Sequence, residues 1–176
     1  NIDISVNSLT DLIKCTDISR IVNVEYNVNL KLLENIKDEL IQLNNMVGME
    51  SLKNSILDQI LYFAQGLHKD TKNKNNGDFL HTVISGPPGT GKTDIAIIMA
   101  KIFSKLGVLS KETVKKVTRS DLIAGYLGQT AIKTKEVIMD SIGGVLFIDE
   151  VYSLGNEEKR DSFAKECIDT LCEALS

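Results

Sequence analysis

Gly86-Pro87-Pro88-Gly89-Thr90-Gly91-Lys92-Thr93 is the stretch that decides how the rest of this chain is read. It follows a short β-prone run at residues 79–85 and precedes a helical pattern through Ile95, Ile98, Met99 and Ile102. Its spacing fits G-x-x-x-x-G-K-[ST], a loop that cradles phosphates between a strand and a helix. The glycines let the backbone curl so that amide N–H groups face inward, and the helix N-terminus adds the positive end of its dipole. Pro87 and Pro88, the only prolines present, have no N–H to donate, so the cradle is expected from Gly89 onward. Lys92 is expected to reach the β- and γ-phosphates of ATP, and the Thr93 hydroxyl to ligate Mg²⁺. A glycine turn that happens to hold a lysine is the plainer alternative, but it leaves the flanking strand and helix unexplained.

Downstream, Val145-Leu146-Phe147-Ile148 runs straight into Asp149 and Glu150. An apolar strand of this kind is buried, and its carboxyl end is where parallel sheets place ligands. Asp149 is then expected to hold Mg²⁺ and Glu150 to polarise the water that attacks the γ-phosphate. Alone, such a pair reads as a solvated acidic turn. Beyond a phosphate loop, the reading shifts to that of a hydrolysing site.

Between and around these motifs, strand-like and helix-like patterns alternate. Leu30, Leu33, Ile36, Leu40 and Leu43 make a helical stripe that predicts one helix over residues 30–43. A second helix is expected over residues 50–67, burying Leu52, Ile56, Ile60 and Phe63. Residues 69–77 are polar and read as an exposed loop, and the period-two run Val22, Val24, Tyr26, Val28 as an edge strand. Gly107 is placed to end the helix after the phosphate loop. A strand is expected at residues 114–118, a helix at 130–141 ending at Gly143-Gly144, and a strand at 145–148. A last amphipathic helix should bury Phe163, Cys167, Leu171 and Leu175. This alternation indicates an α/β fold with a parallel sheet.

The bulk properties of the 176 residues fit a globular domain: 43% are hydrophobic, 25% charged, and the net charge is −4. No basic field draws the chain to nucleic acid or to an anionic membrane, and no apolar run is long enough to span a bilayer. Three cysteines, Cys15, Cys167 and Cys172, match no zinc or redox spacing, and a cytoplasmic setting is expected.

Gly86 to Thr93 with Asp149-Glu150 resembles the Walker A and Walker B pair of AAA+ ATPases. Ser120-Asp121-Leu122, Gly125-Tyr126-Leu127-Gly128-Gln129-Thr130-Ala131 and the run from Gly143 to Leu154 resemble the clade of red-type Rubisco activases and stage V sporulation protein K ATPases. The resemblance extends from about Val47-Gly48 to the C-terminus. It implies a P-loop NTPase three-layer αβα sandwich, in part, over residues 46–176, with a mixed, helical N-terminal extension over residues 1–45. It implies strand order 5-1-4-3-2. It further implies that Tyr126, Leu127 and Gly128 form a pore loop that grips an extended peptide, although by pattern alone Tyr126 reads as folded back onto its own domain. Val47 and Gly48 would contact adenine, or else form a plain interhelix turn; His81 reads as structural. The family's sensor 1, arginine finger and sensor 2 cannot be assigned in residues 151–176, so the chain is expected to be partial and inactive as an isolated fragment.

The implied activity is ATP hydrolysis with Mg²⁺, coupled to remodelling or threading of protein substrates by a ring, a hexamer. Two alternatives stay open on sequence: a nucleic-acid motor or loader, which the acidic balance disfavours, and a nucleotide-binding module without turnover, which Glu150 disfavours.

Overall fold

The computed structural model describes residues 6–18, 29–67, 81–126, 128–155 and 161–175. The chain divides into two compact units, residues 1–110 and 111–176. The edge strand expected at residues 22–28, the loop at 69–77 and the start of the strand at 79–80 lie outside the described residues.

The first unit is helical: α1 (Leu9–Ile18), α2 (Leu30–Asn35), α3 (Lys37–Asn45), α4 (Glu50–Ala64) and α5 (Lys92–Lys105). Ser8 starts α1 by accepting the Asp11 N–H, while the Asp11 carboxylate accepts the Ser8 hydroxyl at 2.8 Å, so each satisfies the other's donor. The Asn29 side chain caps α2 through the Leu32 N–H. The single helix expected over residues 30–43 is broken at Ile36, whose N–H turns back to Leu33 at 3.2 Å instead of continuing the α pattern. The apolar stripe survives the break, because Leu33, Ile36, Leu40 and Leu43 all face one core with Ile56, Ile60, Ile95 and Ile102. Phe63 and Phe103 meet edge to face in it, 5.9 Å apart. Helix α4 ends at Ala64, three residues short of expectation, and α5 ends before Gly107 as expected. Helices on both sides of residue 45 share this core, so the division of the chain there is a proposal drawn from resemblance.

Residues 81–85 are irregular backbone where most of a strand was expected. A strand exists only by pairing, and the one ladder among the described residues lies in the second unit. Val83 within it is 90% exposed.

That second unit holds β1 (Val114–Val117), α6 (Arg119–Leu122), α7 (Thr130–Ser141), β2 (Val145–Ile148), a 3₁₀ turn (Val151–Gly155) and α8 (Ser162–Leu175). Strands β1 and β2 run parallel, with Val114 opposite Val145 and Val117 opposite Ile148. They are neighbours, as the implied order requires of strands 2 and 3. Thr118 and Asp121 form a capping box at α6. The Thr118 N–H and hydroxyl hold the Asp121 carboxyl below its usual range. The core gathers Val117, Leu122, Val137, Leu154 and Cys167. Helix α8 forms, but its buried face is Ala164, Cys167 and Thr170; Leu175 is exposed, so the face is rotated from the expected stripe. Burial pushes the Cys15 and Cys167 thiols up, which suits unreactive core cysteines. No described helix is long and apolar enough to cross a membrane.

Candidate functional site

The turn into α5 is built by glycine. Gly89 and Gly91 have φ of 78° and 82°, the left-handed region in which side chains are strained. Gly91 is also the N-cap of α5, and its carbonyl accepts the Ile95 N–H at 3.0 Å. The α5 amides ahead of Ile95 have no intrahelical acceptor and carry the positive end of the helix dipole. A Cβ at Gly91 would stand 2.9 Å from the Met46 Cε, so the end of α3 packs closely on this loop.

The loop also closes on itself. The Thr90 hydroxyl donates to the Pro87 carbonyl at 2.9 Å. The Lys92 ammonium lies over the loop, donating to Gly86 O at 3.0 Å and Pro87 O at 2.8 Å. This cation is therefore held inside the turn that was expected to receive phosphate.

A cavity of about 550 Å³ joins this loop to the connection between α3 and α4. Its walls are Val47, Gly48 and Met49 on one side and Ser85 to Pro87 with Gly89 to Gly91 on the other. The size suits a small-molecule ligand. Two segments that the sequence singled out separately, Val47-Gly48 and the phosphate loop, thus face one space. Val47 is 96% exposed and free to cover a flat apolar group. Pro88, Lys92 and Thr93 are outside the lining.

Asp149 and Glu150 belong to the second unit. The Asp149 N–H donates to Val117 O at 2.8 Å, extending the ladder one residue past β2. One Asp149 oxygen accepts the Glu150 N–H at 3.0 Å, and the other pairs with Lys116 at 2.9 Å. Glu150 has φ 53°, a left-handed turn that is costly for a residue with a side chain. The Ser153 N–H donates to Glu150 O at 2.8 Å and begins the 3₁₀ turn. Arg119 donates to Ser153 O at 2.7 Å and pairs with the Asp161 carboxylate. The Ala164 N–H first, then Arg119, holds that carboxyl below its usual range.

Tyr126 is 74% exposed, and Gly128 follows at φ 77°; Leu127 lies outside the described residues. The stem beneath them is fixed. Lys133 donates to Ser120 O and Ile123 O, Thr130 accepts the Ala124 N–H, and buried Thr134 donates to Leu122 O. The loop has an anchored base and an aromatic tip in solvent, not a tyrosine folded into its own core.

These residues fit Mg²⁺ and a nucleoside triphosphate in kind. The phosphate loop, with its helix N-terminus, cation and close backbone approach, suits phosphate; Thr93 in the first unit and Asp149 in the second each carry a hard oxygen of the kind Mg²⁺ takes. Among the described residues no three His, Cys, Asp or Glu side chains converge, so a Mg²⁺ ion would draw further oxygens from phosphate.

Lys53, Lys116 and Arg119 were missed in the sequence. Lys116 and Arg119 carry no local signal, since their partners are distant carbonyls and carboxylates. Lys53 does: it falls on the apolar stripe of α4 with Ile56 and Ile60, where a cation is out of place.

The family described as ATPase family associated with various cellular activities (AAA) matches residues 82–176. The cfxQ-like protein R730 of Acanthamoeba polyphaga mimivirus is 43% identical over 145 residues, covering 82% of this chain and 34% of the relative. Stage V sporulation protein K of Bacillus subtilis is 40% identical over 131 residues, 74% of this chain and 40% of the relative. Protein CfxQ of Xanthobacter flavus is 36% identical over 131 residues, 74% and 41%. The match to these relatives spans between a third and about two fifths of their length.

Proposed function

This chain belongs to the AAA family of ATPases, and on that premise we propose that it binds Mg-ATP in the cavity between residues 47–49 and 85–91. We further propose that the intact protein hydrolyses the nucleotide as a ring, a hexamer, and uses it to remodel or thread protein substrates in the cytoplasm. The observation that carries the nucleotide reading is the shared cavity, which sets the Val47–Met49 turn opposite a glycine cradle at a helix N-terminus.

Each residue has a task on this reading. Lys92 exchanges two neutral carbonyls for phosphate oxygens, a charge-assisted and stronger bond. Val47 and Gly48 take the base. Thr93 and Asp149 would hold Mg²⁺, which supplies charge neutralisation at the β- and γ-phosphates when bound. Asp149, whose carboxylate is paired with Lys116 in this structure, would offer that carboxylate to the ion. Glu150, exposed beyond the strand end, orients the attacking water and receives its proton. The protein-substrate half of the reading is supported by the anchored loop with Tyr126 at its exposed tip. Nothing in the net charge of −4 favours a nucleic-acid partner.

Glu150→Gln tests the hydrolytic reading in the intact protein. ATP binding should stay within about twofold of the parent, while turnover should fall about 10²–10⁴-fold, the range for losing a general base. Turnover within threefold of the parent would remove Glu150 from this role.

A further inference from the structure

Lys53 is a cation in the wrong place for a surface residue. It sits on the buried stripe of α4 and is only 6% exposed. A buried ammonium must find acceptors. Its Nζ donates to Met46 O at 2.6 Å and Asn44 O at 3.2 Å, and meets Glu50 Oε1 at 3.3 Å. The first two are carbonyls at the C-terminal end of α3, where a helix leaves acceptors unpaired and favours a positive charge.

Immediately after them comes the connection Val47-Gly48-Met49, which forms one wall of the cavity. Its backbone is unusual. Gly48 has φ 78° and Met49 has φ 59°, so two successive residues are left-handed, one of them with a side chain. Met49 is also the N-cap of α4, yet no side chain caps that helix. A strained turn without a cap needs support from elsewhere, and Lys53 supplies it from one turn further along α4.

We propose that Lys53 is a positioning residue for base recognition: by tying the end of α3 to α4, it fixes the Val47–Met49 wall where the base of the nucleotide docks. The proposal rests on reading the cavity as the nucleotide site. It separates the two sides of that site. The phosphate loop is held by its own bonds, from Thr90 and Lys92 to Gly86 and Pro87, none of which involves Lys53. The base-side wall has no comparable internal bond among the described residues. Losing Lys53 should therefore weaken recognition of the base and leave recognition of the phosphates.

Calorimetry on the intact protein, with Mg-ATP and with Mg-tripolyphosphate as separate probes, tests this. Lys53→Met keeps the length of the side chain and removes its donors. ATP affinity should fall at least tenfold, tripolyphosphate affinity should stay within twofold, and the preference for ATP over GTP should narrow. Lys53→Gln, a shorter and uncharged donor that reaches the two carbonyls less well, is the milder variant should Lys53→Met not fold. It should show the same selective loss at about threefold. Lys53→Arg, which can still donate to both carbonyls, should restore most of the ATP affinity. Equal losses for both probes, or no loss for ATP, in whichever variant folds would reduce Lys53 to a general stabiliser and overturn the proposal. A parent protein that binds neither probe would reject the nucleotide site itself, which is a different result from a parent that binds both and a variant that is unchanged.

Discussion

Gly144→Ala puts the pairing of the two strands under a defined load. Gly144 precedes β2, and a Cβ there would lie 2.5 Å from the Thr113 carbonyl oxygen and 2.6 Å from the Thr113 hydroxyl. Both distances are well inside contact, and the first obstacle is backbone, which cannot swing aside as a side-chain tip can. The same carbonyl accepts the Val145 N–H at 2.9 Å, so relieving the clash pulls apart the first bond between the strands. Overpacking of this kind costs about 1–3 kcal/mol, and a strained backbone bond adds about 0.5–1.5 kcal/mol. The sum, about 1.5–4.5 kcal/mol, should lower the melting temperature by roughly 3–18 °C for a chain of this size. Gly125→Ala is the control, because nothing lies within 4 Å of its Cβ and its backbone is not left-handed. It should be neutral or up to about 1 kcal/mol stabilising. Circular dichroism melts of the three proteins decide the matter. A Gly144→Ala variant that melts within about 1 °C of the parent would refute the β1–β2 register from which the cost was worked.

The first unit carries its own test. Glu39, 7% exposed, receives the Lys105 ammonium on both oxygens at 2.7 and 2.8 Å, tying α3 to the last turn of α5. Lys105→Met should cost about 2–3 kcal/mol, below the full penalty of a stranded buried charge because Lys105 is itself 33% exposed. A urea midpoint that moves by less than 0.5 kcal/mol equivalent would show that the carboxylate finds water instead. At the other unit's exposed loop, Tyr126→Ala should keep ATP binding within about twofold and abolish any stimulation of turnover by an unfolded polypeptide such as reduced casein. Parental stimulation that survives the substitution would take Tyr126 out of substrate contact.

How far the sequence could be read depended on the range of the interactions involved. The phosphate loop and the strand running into Asp149-Glu150 were legible because fixed spacing and local backbone chemistry specify them. Helix α7 and strand β2 were placed to the residue for the same reason, each bounded by Gly143-Gly144. The break at Ile36 was not legible, since its apolar stripe continues unbroken through two helices while the Ile36 N–H turns back to Leu33. Residues 81–85 look like a strand in composition, but strand formation is decided by a neighbour and not by the segment itself. Lys116 and Arg119 bond to groups supplied by other elements, and residue type alone does not announce such partners; Lys53 was signalled only by its place on an apolar stripe. The α8 face was misjudged for a related reason, because Thr170 satisfies its hydroxyl on Glu166 O at 2.7 Å and so can be buried.

The central claim is that residues 86–93 bind the phosphates of Mg-ATP, with Lys92 as the cation that grips them. Titration of Mg-ATP into the intact parent and into Lys92→Ala, followed by calorimetry, tests it most directly. Lys92 already spans the loop, bonded to Gly86 and Pro87, so its removal takes away the ammonium positioned to meet the phosphates. Clear saturable binding is expected of the parent and a loss of at least about 100-fold of the variant, with the nucleotide-free variant still folded. Equal affinities in the two proteins would contradict it.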